Sequence, residues 1–184
     1  SGSAAQAVLR LKLTEGALDA GTAADFLDEA VDEAYLRLFL GSATVDAGYL
    51  KVAWGKADSQ GPLDVLNPYD MTDLTVLDTL ERKISQLMLH ASVSLGGMSK
   101  LEAVFLPFFE GNAIALTGRW APAAIGTLLG AGFTSFTEPD TESLGYAQGG
   151  LRFTTTSGSV DWGLQYFYGY LPTPAFNRAT FPVA

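Results

Sequence analysis

Ser85 to Leu95 reads SQLMLHASVSL, and its alternation decides the fold. Leu87, Leu89, Ala91, Val93 and Leu95 fall on one side of an extended chain, and Met88, His90, Ser92 and Ser94 fall on the other. A period of two marks a strand with one apolar and one polar face. Val160 to Tyr170, VDWGLQYFYGY, repeats the pattern. There Val160, Trp162, Leu164, Tyr166, Tyr168 and Tyr170 oppose Asp161, Gly163, Gln165, Phe167 and Gly169. So heavy an apolar face exceeds what a soluble sheet needs, and it suits a lipid-facing strand, which takes about 9 to 11 residues.

Working outward, further strands are expected at Ala7 to Leu13, about Ala30 to Leu40, Ala43 to Trp54, Ser99 to Pro107 and Gly145 to Thr156. In three of them charges alternate with the apolar residues. Arg10 and Lys12 sit between leucines, Lys100 and Glu102 flank Leu101, and Arg152 separates Leu151 from Phe153. Gly41-Ser42, Gly96-Gly97-Met98 and Ser157-Gly158 read as tight hairpin turns. Between them lie long segments, about Thr14 to Glu29, Gly55 to Ile84 and Phe108 to Leu144. Short turns alternating with long loops are the plan of an outer-membrane barrel, with turns in the periplasm and loops outside.

The hairpins imply a register. The turn at Gly96 to Met98 pairs Val93 with Leu101 and Ser92 with Glu102. A turn at Ser157-Gly158 pairs Phe153 with Trp162, Leu151 with Leu164, Arg152 with Gly163 and Thr154 with Asp161. Like faces meet in both, as a shared sheet surface requires. Across Gly41-Ser42, Arg37 faces Asp46, but alternation slips around Tyr49 to Val52, where a bulge or a displaced turn is expected.

Composition points the same way. Of 184 residues 48% are hydrophobic and 17% charged, against roughly 25% charged in ordinary soluble domains, and mean hydropathy is +0.19. No apolar run reaches the roughly 18 to 20 residues of a membrane helix, so a membrane would be crossed by strands in a closed sheet. The net charge of −9 argues against nucleic acid as a partner. The chain has no cysteine, which removes disulfides, thiolate metal sites and cysteine nucleophiles. Residues 1–3 read as an added remnant ahead of a mature sequence, and residues 4–184 as one barrel domain or a portion of one.

Candidate chemistry is sparse. His90, the one histidine, shares a strand face with Ser92, a relation that outer-membrane lipid hydrolases use. Glu102 is the cross-strand acid nearest that pair, but the pair points away from lipid, so a polar lining is the expected role. Asp58, Asp64, Asp70 and Asp73, with Asp25, Asp28, Glu29, Asp32 and Glu33, offer oxygen ligands but lack any recognised calcium-loop spacing, and read as solvated loops. Asn67-Pro68-Tyr69-Asp70 reads as a turn. Gly126, Gly130 and Gly132 do not follow a strand in phosphate-loop spacing, and no metal or cofactor is expected. Phe26, Leu27, Ala30, Val31 and Ala34 also fit helical spacing, with Thr22 or Asp25 as cap, so a short helix leading into a strand satisfies both patterns. Ala121 to Leu129 is a second short helix, placed to fold over or into a mouth.

Val52 to Leu74, VAWGKADSQGPLDVLNPYDMTDL, resembles a segment of the DUF1302-like group of uncharacterised outer-membrane barrels of Gram-negative bacteria and spirochaetes. In that group a strand ends in a Trp-Gly element and is followed by a loop containing Asn-Pro. The matching positions here are Trp54-Gly55-Lys56 with Asp58, then Asp64-Val65-Leu66-Asn67-Pro68-Tyr69-Asp70. Leu101 to Glu110, followed by Arg119-Trp120-Ala121-Pro122, resembles the group's next strand, loop and rim tryptophan, so the similarity touches about residues 30 to 175 in order. Members of that group are longer, so the resemblance implies a portion of such a barrel, a barrel closed by a short last strand, or one whose edges pair with another copy.

The expected protein is therefore all-β: a transmembrane, antiparallel, up-and-down β-barrel of about eight strands in this chain, in a bacterial outer membrane. Arg10, Lys12, Arg37, His90, Lys100, Glu102, Gln148, Arg152, Asp161 and Gln165 are the expected lumen lining. Phe105, Trp162, Tyr166, Tyr168 and Tyr170 are the expected aromatics at the lipid interface. The expected function is a passive pore for small solutes or ions and not an enzyme. Its expected surroundings are lipid or detergent, with self-association through open strand edges. Two rivals stand beside it: a non-conducting scaffold barrel whose loops bind a partner, and a soluble lipocalin-like binder with its apolar face inside. Eight strands leave an interior just filled by side chains, so strand number bears on conduction.

Overall fold

The computed structural model describes residues 4–13, 15–54, 63–130 and 140–173. Seven strands form one antiparallel sheet: β1 (Ala4–Leu11), β2 (Val31–Leu40), β3 (Ala43–Leu50), β5 (Gln86–Gly96), β6 (Ser99–Leu106), β8 (Gln148–Ser157) and β9 (Val160–Tyr168). Each pairs with the next in that order, so the chain runs up and down with no crossover. Two short strands, β4 (Asp70–Met71) and β7 (Ala113–Ile114), pair in parallel between two of the long loops. The main sheet is open. Among the described residues no pairing joins β1 to β9, so the sheet is antiparallel and all-β as expected, but it is an open sheet of seven strands and not the closed barrel of about eight. With an odd number of antiparallel strands, β1 and β9 run the same way and cannot pair with each other antiparallel.

Register converts the alternation into two surfaces. One row across the sheet is Ala7, Leu36, Ala47, Leu89, Phe105, Gly149 and Tyr168. The next on the same face is Ala5, Leu38, Val45, Ala91, Ala103, Leu151 and Tyr166. The interleaved row on the other face is Gln6, Arg37, Asp46, His90, Val104, Gly150 and Phe167. Burial is inverted relative to a soluble protein: Leu164 and Tyr166 are 75% and 66% exposed, whereas Asp46 and Glu102 are 2% and 6% exposed. The face carrying the leucines has nothing packed on it among the described residues. The face carrying the charges is covered over its central strands, where Asp46, His90 and Glu102 are buried, while Gln6, Arg10 and Asp161 at its margins are exposed.

Turn chemistry sets the register. Gly41-Ser42 joins β2 to β3 with Leu40 opposite Ala43, and Gly41 has φ 69°. The turn after β5 pairs Val93 with Leu101 and Ser92 with Glu102 as expected, with an irregularity between Ser94 and Gly96. The last hairpin turns one residue later than expected, at Gly158-Ser159, pairing Ser157 with Val160, Phe153 with Leu164 and Arg152 with Gln165. That shift moves every partner by two positions, so each side chain keeps its face, whereas a shift of one would have exchanged them.

Other expectations change at element ends. β1 lies earlier than Ala7 to Leu13, β9 stops at Tyr168, and β3 stops at Leu50 instead of Trp54. There is no bulge at Tyr49 to Val52: the β2–β3 pairing is unbroken from Leu40 to Ala34, and the strand simply ends. The alternation slips because Leu50 and Trp54 both turn to the covered side, where they join a small core with Leu66, Met88, Val104 and Leu106. The helix-then-strand reading holds at α2 (Ala23–Ala30), which follows the four-residue α1 (Glu15–Leu18) and runs directly into β2. Thr22 caps α2, its hydroxyl oxygen accepting from the Asp25 amide at 3.2 Å. Helix α3 (Ala123–Gly130) forms where a second helix was expected, with Ile125 buried.

Gly48 sits where β2 and β3 approach most closely. Its φ is 140°, and a Cβ there would stand 2.3 Å from the Ala34 carbonyl oxygen and 2.7 Å from the Tyr35 Cα. Gly48→Ala is therefore expected to cost about 1–3 kcal/mol through backbone strain alone. Urea unfolding followed by tryptophan fluorescence would measure it, and a midpoint equal to the parent's would show that the strands part without penalty.

Candidate functional site

The covered face of the sheet carries a chain of ionic groups that crosses five strands. Arg37 on β2 grips Asp46 on β3 with two nitrogens, Nε to Oδ1 at 2.6 Å and Nη2 to Oδ2 at 2.9 Å. His90 on β5 stands between two carboxylates, Nδ1 3.4 Å from Asp46 and Nε2 3.3 Å from Glu102 on β6. Glu102 also takes Lys100 at 2.9 Å and Arg152 on β8 at 3.6 Å. Arg10 on β1 extends the charged surface by pairing with Glu33 at 2.6 Å. Charges removed from water need partners of opposite sign and hydrogen bonds to stay ionised, and this ladder supplies both.

Long loops are recruited to the same side. Residues 51–54, which follow β3, and residues 63–85, which precede β5, lie on the charged side of the sheet. Their organiser is Asn67, which is 1% exposed. The Asn67 amide donates to the carbonyls of Leu50 at 3.0 Å and Ile84 at 2.9 Å, and its oxygen accepts from the Val52 amide at 2.8 Å. One side chain thereby ties the departing and returning backbones together. A second fastener is Asp64, which receives the Lys83 ammonium at 2.7 Å and the Tyr69 hydroxyl at 2.9 Å. Lys83 also donates to the Val52 carbonyl at 2.9 Å. Burial pushes the Lys83 ammonium below its ordinary value, and burial together with the bond to Asp64 pushes the Tyr69 phenol above its own.

The segment resting on the sheet fits closely at one point. Trp54 is 1% exposed, and its ring edge would lie 2.9 Å from a Cβ added at Gly150. Only a glycine on β8 leaves room for that indole. Among the described residues the Trp54 Nε1 is buried with no hydrogen-bond partner. Beside the segment lies a cavity of about 190 Å³ lined by Glu33, Tyr35, Arg37, Asp46, Lys51 and His90, among others. Lys51 pairs with Asp32 at its edge.

The expected lining residues can be placed directly. Arg10, Arg37, His90, Lys100, Glu102, Gln148, Arg152, Asp161 and Gln165 all fall on the charged face by register. Lys12, just past β1, donates to the Glu81 carbonyl at 3.2 Å. Gln148 holds strand ends, accepting from the Tyr170 amide at 3.0 Å and donating to the Phe108 carbonyl at 3.4 Å. Asp161 accepts the Thr156 hydroxyl at 2.6 Å. Phe105, Trp162, Tyr166 and Tyr168 lie exposed on the opposite, apolar face, with Trp162 near the turn and Tyr168 at the loop end. Tyr170 departs from the expected row. It lies beyond β9 with its ring centroid 5.4 Å from both Phe109 and Tyr146, and its hydroxyl donates to Gly145.

His90 and Ser92 share a face but not a bond. The Ser92 hydroxyl meets Thr44 at 2.7 Å, and the imidazole faces Asp46 and Glu102. The loop carboxylates serve turns and fasteners: Asp70 holds Thr72, Asp73 holds Thr75, and Asp64 is interior. Among the described residues no group of three or more His, Cys, Asp or Glu is placed to hold a metal ion. Gly55, Lys56 and Asp58, part of the quoted motif, lie outside the described residues, as does Gly132.

Sequence reasoning left Glu33 and Asp46 out of the expected lining, although it placed Asp46 opposite Arg37, where the structure has it, and each continues a strand alternation. It read Asn67-Pro68-Tyr69-Asp70 only as a turn, whereas Asn67, Pro68 and Tyr69 are buried and Asn67 is a clamp. The signal was the asparagine itself, whose amide both donates and accepts, next to a proline that has no backbone N–H to donate. Comparison with protein-family models, curated proteins and solved structures returns no match.

Two outcomes follow from the fasteners. Asn67→Ala leaves two buried carbonyls and one amide unpaired, so it is expected to destabilise segment 51–85 by at least about 2 kcal/mol, read as faster exchange of the Val52 amide. Exchange as slow as the parent's would show that the clamp is dispensable. For Tyr69, the folded loop keeps a proton that the unfolded chain releases near the ordinary phenol value of 10.0. The phenol's contribution is complete below that pH and is lost as pH rises through the higher folded value. A phenolate absorbance titration should show one tyrosine ionising after the exposed ones, with Tyr69→Phe removing that late step.

Proposed function

We propose that this chain is wall and interior of an outer-membrane β-barrel, with its leucine and tyrosine face in lipid and its charged face enclosing a narrow passive pore. The observation that carries this reading is the inverted sheet. Apolar rows run unpartnered across seven strands while arginine, aspartate, histidine and glutamate are covered. In water such a surface is unstable; in hydrocarbon it is matched, and the backbone bonds of a sheet are satisfied strand to strand. Strands of 9 to 11 residues at β2, β5, β8 and β9 suit the tilted crossing of a bilayer. No helix among the described residues is long and apolar enough to cross.

A lipocalin-like binder would place its apolar face on the side that the loop covers, opposite to the arrangement of these residues. Closure falls to the free edges of β1 and β9, which pair with further strands or another copy, because open edges in lipid leave backbone groups unsatisfied. The resemblance to DUF1302-like barrels agrees with this reading, and its Trp54, Asp64 and Asn67 are the residues that build the covering segment. A pore suits a charged, water-compatible interior, whose fixed charges tune ion preference. No catalytic step is part of the proposal.

A pair of arginine substitutions tests the orientation. Leu151→Arg on the apolar face is expected to oppose insertion by about 2–4 kcal/mol near the bilayer centre, whereas Gln165→Arg on the charged face leaves insertion intact. Heat-modifiable migration after folding into phosphatidylcholine vesicles reads both. Equal tolerance of the two substitutions would show that the leucine face is not in lipid, and the reading would fail.

A further inference from the structure

The charged face carries a hollow that its own side chains leave unfilled. This is the cavity of about 190 Å³ where β2, β3 and β5 meet residues 51–53. Alternate positions of β2 place Glu33, Tyr35 and Arg37 in its wall, Asp46 of β3 and His90 of β5 continue it, and Lys51 closes one side. A water molecule takes about 30 Å³ of liquid, so the hollow has room for about six waters, or for one solute with about that many heavy atoms.

The charges of the wall cancel. Arg37 and Lys51 are balanced by Glu33 and Asp46, and all four are already engaged within the chain. Arg37 grips Asp46, Lys51 pairs with Asp32, and Glu33 takes Arg10 and the Lys51 amide. A ligand of one sign would have to leave water and break one of these pairs, and both steps are costly. What the wall still offers is hydrogen bonding of both kinds. Arg37 uses Nε and Nη2 on Asp46, which leaves Nη1 to another acceptor. Among the described residues the Tyr35 hydroxyl, able to donate and accept, has no hydrogen-bond partner. The carboxylates of Glu33 and Asp46 keep lone pairs beyond the bonds they already accept. A short chain of hydroxyl groups, each both donor and acceptor, matches such a wall.

We propose that this hollow is a subsite for a small, uncharged, polyhydroxylated solute, held between Tyr35 and Arg37 on one side and the carboxylates of Glu33 and Asp46 on the other. The subsite rests on the reading of the charged face as a lumen, and it names the class of solute that this lumen retains.

His90 is the only histidine of the chain and stands in the wall of the hollow, so one imidazole resonance reports from the site. Full-length protein labelled at histidine is folded into detergent micelles and titrated with erythritol. Glycine, potassium acetate and methylammonium chloride are titrated in parallel at constant ionic strength. Erythritol should move the His90 ring resonance along a saturating curve, and the other three probes should not. Tyr35→Phe removes one oxygen and keeps the ring. It should raise the erythritol midpoint about three- to ten-fold, the worth of one neutral hydrogen bond, with heat-modifiable migration unchanged. Tyr49→Phe, on the apolar face, should leave the midpoint where it was. A His90 resonance that does not saturate with erythritol overturns the subsite, and so does an equal midpoint in Tyr35→Phe. Tighter binding of glycine, acetate or methylammonium overturns the class of solute. Saturable erythritol binding by a protein whose Leu151→Arg and Gln165→Arg variants insert equally well would keep the subsite and remove the lumen around it. Selective insertion with no erythritol response would do the reverse.

Discussion

A strand sends successive side chains to opposite sides, and in this sheet one side receives almost all the charge. That constraint governs the rest. Once Arg37, Asp46, His90, Glu102 and Arg152 share a face, the arginines neutralise the carboxylates across neighbouring strands, and the His90 ring lies between Asp46 and Glu102. The other face is left with leucine, alanine, valine and aromatic rings, and no element of the described chain packs on it. The two surfaces need different surroundings, and the chain supplies only one of them.

What it supplies, among the described residues, is the cover formed by residues 51–54 and 63–85. The apolar core of this protein is small, built where Leu50, Trp54 and Leu66 meet Met88, Val104 and Leu106 at the loop end of the charged face. Packing there is local and is completed by polar fasteners: Asn67 reads three backbone groups at once, and Lys83 with Tyr69 closes on Asp64. Charges that the wall cannot pair are met by the loop, as when Lys12 finds the Glu81 carbonyl. The wall and its cover are thus one electrostatic unit.

Much of the wall was legible in the residues. Leu87 to Leu95 and Trp162 to Tyr168 declare their faces by alternation alone, and the glycines at 41, 96, 97 and 158 mark turns because the backbone there has positive φ. The final hairpin turned one residue later than expected because Ser157-Gly158 and Gly158-Ser159 are both acceptable turn pairs, and only the full set of β8–β9 contacts distinguishes them. Strand ends were less legible. Leu50 keeps its place in the strand but puts an apolar side chain on the charged face, and Trp54 follows beyond the strand end, because both pack on Leu66 in a different part of the chain. Tyr170 left its expected row for the same reason, drawn to Phe109 and Tyr146.

The order of residues alone determined which side chains share a face, where the chain turns and that the sheet is antiparallel. These are consequences of a two-residue period and of turn chemistry, both local. Tertiary structure decided that the sheet stands open, that Asn67 is a clamp and that the loop lies across the charges. Each of those depends on groups far apart in the chain meeting at hydrogen-bonding distance, and no periodicity along the backbone encodes such a meeting.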